Sequence, residues 1–202
     1  MKKMGVVAFV AFLMVSPAMA SFTVATFADP SATSANPLFT VDLAANTITG
    51  GWADSKTGLD LYIPGSGTFT DAFFTFASTY TGLASGGVTG GGTIKFFKDN
   101  QDTTTAPLIQ IDFAKGYVNP YGLGAIDEFF ADGVVITGTE VSGTLSDESF
   151  SFSFANQKSI NGNWNNGFTA TAAFTSSAIP EPATMAIFGI GAMLMLRLRK
   201  RA

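Results

Sequence analysis

Cysteine and histidine are both absent from the 202-residue chain. Without thiols or imidazoles, the chain has no disulfide framework, no thiolate or imidazole metal site, and no Ser-His or Cys-His nucleophile. A domain of this composition must be held together by its core alone, and the length is sufficient for one ordinary domain. Carboxylates are therefore the only credible catalytic groups that the composition leaves.

Charged residues are also scarce, at 13% of the chain, and they are unevenly distributed. Six of the 11 Lys and Arg residues lie at the two ends, at positions 2, 3, 197, 199, 200 and 201. Residues 21–178 carry 5 basic residues against 14 acidic ones, a net charge of −9. An acidic body argues against nucleic acid and anionic surfaces as partners, because binding either one depends on Lys and Arg.

The first 20 residues have the three parts of a secretory leader. Two lysines precede an uncharged apolar run over residues 4–15, and small residues occupy the −3 and −1 positions of a cut. The apolar run is shorter than the about 20 residues of a membrane span. We predict a signal peptide over 1–20, the alternative being an uncleaved anchor. The residues that define the cut are Ala18, Ala20 and Ser21, the first residue of the mature chain.

A second apolar segment occupies residues 183–196, and a basic cluster follows it. A helix of this length rises about 21 Å, which is short for a hydrocarbon core of roughly 30 Å, but mismatch costs only fractions of a kcal/mol per Å. We predict a short transmembrane helix over 183–196 that anchors the chain temporarily, the alternative being a buried core helix. The basic tail, residues 197–201, should stay in the cytoplasm. Its cations are Arg197, Arg199, Lys200 and Arg201.

The body of the chain is joined to this segment by Pro180, Glu181 and Pro182. Two prolines make a stiff, extended stretch that lacks two backbone donors, so we expect it to stay unfolded and accessible. The tail over residues 179–202 resembles the PEP-CTERM sorting signal of Gram-negative bacteria, in which Pro-Glu-Pro, a short apolar span and an Arg-rich end follow one another. The alternative is a proline-rich linker to an ordinary tail anchor.

The resemblance implies recognition by an exosortase, a membrane-embedded cysteine transpeptidase or protease of the host. A cut near Pro180, Glu181 and Pro182 would release the domain or transfer it to the cell envelope or the extracellular matrix, and these three residues would be substrate. The family typically occurs in organisms that make exopolysaccharide. The implied partners are the exosortase and the secretion machinery, the inner membrane before processing, and exopolysaccharide.

Residues 21–178 have the alternation of a β protein. Apolar or β-branched residues alternate with small polar ones in about ten short segments, without helical periodicity. The clearest segment, residues 149–154, would place three phenylalanines on one face and three serines on the other. Gly, Asn and Pro clusters separate the segments. We predict an all-β, antiparallel sandwich that resembles a jelly roll, flanked by the signal peptide and the C-terminal helix.

Paired carboxylates can hydrolyse a glycosidic bond without histidine or cysteine. Asp127 and Glu128 are adjacent, as are Asp147 and Glu148. Neighbouring residues on a strand point to opposite faces, so neither pair would converge on one substrate. We therefore predict no catalytic residue and a protein that is not an enzyme, with an Asp/Glu glycosidase as the least favoured alternative.

Two loops are candidates for ligand binding. Asp99 and Asp102 concentrate oxygen ligands, as calcium requires, although the twelve-residue calcium-loop pattern is missing. Trp164 lies between Asn163 and Asn165, where an exposed indole beside amides suits a sugar ring; the alternative is that the ring covers an open end of the sandwich. We predict no cofactor. The leading prediction is an exosortase-sorted matrix protein with a structural or interaction role, and the second is a carbohydrate-binding module assisted by calcium.

Overall fold

The computed structural model describes residues 21–28, 38–51, 58–79, 87–98, 102–118 and 128–180. Within this part the chain forms 13 β-strands and two short 3-10 turns, at Ile160–Gly162 and Trp164–Asn166. The strands are β1 (Phe22–Ala28), β2 (Phe39–Asp42), β3 (Thr47–Gly51), β4 (Leu59–Ile63), β5 (Gly67–Thr79), β6 (Gly87–Thr89), β7 (Gly92–Phe97), β8 (Ile109–Phe113), β9 (Lys115–Val118), β10 (Glu128–Asp132), β11 (Val135–Thr137), β12 (Leu145–Ser159) and β13 (Gly167–Pro180).

Every described strand pairs antiparallel with its neighbours. Together they form one 13-stranded sheet in the order β11-β8-β7-β5-β3-β2-β13-β12-β10-β9-β6, with β1 and β4 off this path. In the described part of the chain, no helix is both long and apolar enough to cross a membrane. The predicted leader and the predicted transmembrane helix lie outside the described residues.

Two of the three longest strands, β5 and β13, each pair with two different strands along one edge. Along one edge of β13, residues 167–170 pair with β2 and residues 173–178 pair with β1. Along one edge of β5, residues 67–72 pair with β4 and residues 75–79 pair with β3. The β1–β4 pair and the β2–β3 pair therefore lie end to end in the space between β5 and β13.

Phenylalanine rings fill the interior, and they bring the two halves of the sheet face to face. Phe96 on β7 contacts Phe174 on β13, with ring centroids 4.8 Å apart. Phe113 on β8 contacts Phe150 on β12 at 5.6 Å. The sheet therefore folds over on itself around one core. Its largest fully buried rings are Phe39, Phe74, Phe96, Phe152, Phe168 and Phe174.

The prediction of an all-β, antiparallel fold is confirmed. In β12, Phe150, Phe152 and Phe154 are at most 8% exposed, as the alternation of residues 149–154 predicts. The hydrogen bonds join the described strands into one continuous sheet. The strands β5 and β13, at 13 and 14 residues, are each long enough to pair with different strands at their two ends. The finer prediction of a jelly-roll-like sandwich stays a prediction.

Truncation of Phe152 should destabilise the domain strongly. Its fully buried ring contacts the rings of five other phenylalanines, so Phe152→Ala should lower the free energy of unfolding by about 3–5 kcal/mol. The matched control is Ser153→Ala, one residue later on the exposed side of β12, which should change it by less than about 0.5 kcal/mol. Urea unfolding measures both, and equal midpoints would contradict the packing described.

Candidate functional site

The strand that leads into the Pro-Glu-Pro sequence is part of the folded sheet. Ile179 pairs with Ser146 and Pro180 pairs with Leu145, so β13 continues through the first proline. The Ser146 hydroxyl also donates to the Ile179 carbonyl at 3.3 Å. We expected Pro180, Glu181 and Pro182 to be unfolded; for Pro180 this is wrong, because the fixed φ of proline suits the end of an extended strand as well as an open linker. Glu181 and Pro182 lie outside the described residues. The strand ends two residues beyond the domain boundary predicted at 178.

The other edge of the same strand end is covered by β1. Phe22 pairs with Ala178, and Thr23 pairs with Ser177. Ser21, the predicted first residue of the mature chain, directly precedes β1 and is exposed. The predicted signal cleavage site and the start of the Pro-Glu-Pro sequence are therefore neighbours at one end of the sheet.

A buried serine fixes β1 to β13 at an irregularity in the ladder. The register shifts between Thr23 and Ala25, which disrupts the regular ladder. The Ala25 amide donates to the Ser176 hydroxyl at 3.1 Å, and this hydroxyl is 3.2 Å from the Ala25 carbonyl, to which it donates. Ser176 is only 1% exposed, so its polar atom is satisfied inside the fold. The strand before the tail is thus firmly held.

Trp164 lies at the tip of the β12–β13 hairpin. Its side chain is 47% exposed. The Asn163 side chain accepts a hydrogen bond from the Asn165 amide at 2.9 Å and so caps the turn. One amide oxygen of the predicted site therefore stabilises the loop, while the indole remains accessible. Contact of Trp164, Asn163 and Asn165 with a ligand stays a prediction.

The hairpin tip is held against the turn that follows β2. The Leu43 amide donates to the Asn166 carbonyl at 3.1 Å. Gly167 has a φ of 109°, and a Cβ atom at this position would lie 1.9 Å from the Val41 carbonyl oxygen. Only glycine combines this backbone conformation with so close an approach. The tip that carries Trp164 therefore has a defined position.

Asp102 stabilises a turn within its own loop by accepting hydrogen bonds. Its carboxylate accepts hydrogen bonds from the hydroxyl and the amide of Thr104, and its carbonyl accepts one from the Thr105 hydroxyl. The Thr104 hydroxyl, followed by the Thr104 amide, lowers the pKa of Asp102 below its ordinary value. The described residues contain no cluster of three or more potential metal ligands. Asp99 lies outside them, so calcium binding at this loop stays a prediction.

Glu148 has a structural hydrogen bond that the sequence does not reveal. Its carboxylate accepts from the Ile136 amide at 2.9 Å and so ties β11 to β12. Asp147 lies beside it in a register shift of β12 with a φ of 48°. Glu128 begins β10, where its backbone pairs with Ser153, and Asp127 lies outside the described residues. The Glu148 carboxylate thus helps to hold the edge strand β11 in place.

The remaining parts of the tail lie beyond the described residues. They are Glu181, Pro182, the apolar segment 183–196 and the basic residues Arg197, Arg199, Lys200 and Arg201. Ala18 and Ala20 of the predicted leader are likewise outside.

The architecture is that of an all-β domain whose last strand runs directly into a C-terminal processing motif. The PEP-CTERM protein-sorting motif matches residues 178–201, so the chain carries this motif and the resemblance is confirmed. The motif implies processing by an exosortase and export to the cell envelope or secretion. The match begins at Ala178, inside β13. No curated protein and no solved structure matches the chain.

An engineered disulfide tests whether β1 covers the strand before the tail. Opposed Cα atoms in an antiparallel pair are about 4.5–5.5 Å apart, within the range of disulfides. The double variant Thr23→Cys/Ser177→Cys should therefore crosslink in the oxidised protein, which has no other cysteine. Thiol counting and non-reducing electrophoresis measure the product.

The matched control is Thr23→Cys/Ser149→Cys. Ser149 pairs with Ser177 from the opposite edge of β13, so Thr23 and Ser149 lie two strands apart, about 10 Å. This variant should stay reduced, because a disulfide cannot span that distance. Crosslinking of the control alone would refute the register.

Proposed function

We propose that this protein is exported by a Gram-negative host, cut by its exosortase at the C-terminal motif, and serves without enzymatic activity in the envelope or an exopolysaccharide biofilm matrix. The observation that carries the proposal is the match to residues 178–201, which begins within the last strand of the folded domain. A cut after Pro180 would leave every described strand in the released product.

The arrangement of the ends supports a precursor that is anchored at one side of the domain. Phe22, one residue after the predicted mature N-terminus, pairs with Ala178, the first residue of the matched motif. The predicted leader and the predicted helix over 183–196 therefore connect to neighbouring points of the sheet. Such a precursor would be transiently held at the inner membrane.

The hydrogen bonds of the acidic side chains support a role without catalysis. Several described carboxylates accept hydrogen bonds from groups of the fold itself, so they have structural roles. They are Asp42 with the amides of Ala44 and Ala45, Asp102 with Thr104, Asp112 with Thr93 and Gln110, Asp132 with Tyr117, Glu140 with Ser66, and Glu148 with Ile136.

Loss of sorting should leave a longer, membrane-bound protein. In a host without exosortase, and for Glu181→Gln in the normal host, immunoblots should show the protein in the membrane fraction. Intact-mass analysis should find the C-terminal segment still attached. The control Asp147→Asn, an acid-to-amide change in the domain, should be processed like the wild type. Identical size and location of the wild-type protein in both hosts would refute the proposal.

A second candidate function is carbohydrate binding at the hairpin tip. The observation that favours it is the 47% exposure of Trp164 on a turn whose position is fixed by Asn163 and Gly167. A preorganised aromatic ring loses little entropy on stacking against a sugar. Neighbouring amides would hydrogen-bond the sugar hydroxyls.

Removal of this ring should weaken glycan binding if the tip is the site. Trp164→Ala should reduce affinity on a glycan array about tenfold, which corresponds to about 1.4 kcal/mol. Val135→Ala removes another exposed apolar side chain, on β11, and should bind like the wild type. Repeating the array with a chelator tests the calcium requirement. Absence of binding to every glycan would count against this function.

A further inference from the structure

One row of directly opposed residues crosses seven strands on the outer face of the sheet, in the order β9, β10, β12, β13, β1, β4 and β5. Directly opposed residues lie on the same face, about 4.8 Å apart from strand to strand. The row therefore extends about 24 Å from β9 to β4. Its described side chains are Tyr117, Ser151, Thr175, Thr26, Tyr62 and Thr68.

The centre of this row is uncharged and rich in hydroxyl groups. Ser151, Thr175 and Thr26 are adjacent on β12, β13 and β1, and their chain neighbours Phe152, Phe174 and Phe27 point into the core. A neighbouring row adds three more hydroxyls, those of Ser149 and Ser177, two residues from Ser151 and Thr175, and that of Thr23, three residues from Thr26 across the register shift. The hydroxyl oxygens of Ser149 and Ser177 are 2.9 Å apart, so the two side chains already form a hydrogen bond.

Tyr62 ends this hydroxyl patch on β4. It is directly opposite Thr26 on one side and Thr68 on the other, and its side chain is 47% exposed. A tyrosine presents a flat apolar ring together with a hydroxyl group. We call the surface formed by Ser149, Ser151, Thr175, Ser177, Thr23, Thr26 and Tyr62 the hydroxyl face.

The opposite end of the row is chemically different. The Tyr117 hydroxyl donates to the Asp132 carboxylate at 2.6 Å, and the Lys115 ammonium lies 5.1 Å from the centre of the Tyr117 ring. This ring is therefore engaged by a cation, as cation–π geometry allows. Among the described side chains of the row, the more exposed aromatic ring is that of Tyr62.

We propose that the hydroxyl face binds a neutral polysaccharide chain. Serine and threonine hydroxyls donate and accept hydrogen bonds, which matches the hydroxyl groups of sugars. The Tyr62 ring would stack on one sugar ring, and the serine and threonine hydroxyls would contact the sugars that follow it. Rigid Tyr and small Ser side chains make such contacts at little cost in conformational entropy.

The charge of the domain favours a neutral polysaccharide over an acidic one as the ligand. None of the seven residues of the hydroxyl face is charged, whereas residues 21–178 carry a net charge of −9. Asp60, two residues before Tyr62 on β4, lies on the same exposed face and is itself exposed. A polyuronate would therefore be repelled both by the whole domain and by this carboxylate. This inference rests on the proposed matrix role and names the class of polymer involved.

Sedimentation with insoluble polysaccharides tests the proposal. Protein recovered from its host is mixed with cellulose, mannan or α-glucan as neutral probes, and with alginate gel as the acidic probe. The wild type should sediment with at least one neutral probe, at low and high salt alike, and should not bind alginate. Tyr62→Ala should lower the affinity about tenfold, whereas Tyr62→Phe, which keeps the ring, should retain it within about threefold.

A pair of lysine substitutions locates the site. Thr175→Lys places a charge in the centre of the hydroxyl face and should abolish sedimentation. Thr137→Lys makes the same change at an exposed position of β11 and should leave binding unchanged. Circular dichroism verifies that each variant is folded.

The proposal is overturned if no neutral probe retains the wild type, if Thr175→Lys and Thr137→Lys lose binding equally, or if only Trp164→Ala loses it. The last result would assign binding to the hairpin tip. Failure of sorting would appear separately, as an unchanged size and location of the wild type in the host without exosortase, because sedimentation does not depend on where the protein is recovered.

Discussion

The packing of Phe27 between the two halves of the sheet is the contact on which the rest of the structure depends. Its ring lies within 6.2 Å of the rings of Phe74, Phe96, Phe152 and Phe174, which belong to β5, β7, β12 and β13. Burial of one such side chain contributes about 1.5–3 kcal/mol, and aromatic pairs add about 0.5–1.5 kcal/mol. Since the sequence contains no cysteine, no disulfide supplements these contacts. Because Phe27 is on β1, the core is complete only when β1 is paired with β13.

This requirement connects the core to the processing motif. The β1–β13 pairing that inserts Phe27 also brings Phe22 beside Ala178, where the matched motif begins. The core residues of β13, from Phe168 to Ala178, all precede Pro180. A cut within or after the Pro-Glu-Pro sequence therefore removes no buried residue of the described domain. The sheet can hold its last strand firmly and still lose the tail.

The local pattern of the sequence predicts the strands well, because alternation with a period of two depends only on neighbouring residues. Residues 149–154 and the alternating burial of Leu59–Ile63 are clear cases. The alternation in β4 was enough to place Tyr62 outward. It could not show that Tyr62 lies opposite Thr26, because this contact depends on pairing between distant strands. Three other features could not be predicted from the local pattern, because they also depend on contacts between separate strands. They are the pairing of β5 and β13 with two strands along one edge, the Glu148 hydrogen bond to Ile136 and the pairing of Pro180.

The candidate binding surfaces and the processing motif lie at different places along β13. Gly167 begins this strand next to the tip that carries Trp164, and Pro180 ends it, which separates them by about 40 Å of extended chain. The hydroxyl face lies toward the Pro180 end of the strand, where Thr175 and Ser177 are five and three positions before this proline. A polymer bound at the hairpin tip would leave the strand end open to a membrane enzyme, whereas a polymer bound on the hydroxyl face would come within about 10 Å of Pro180. One long strand therefore connects the processing motif to both candidate surfaces, but only the hairpin tip is remote from it.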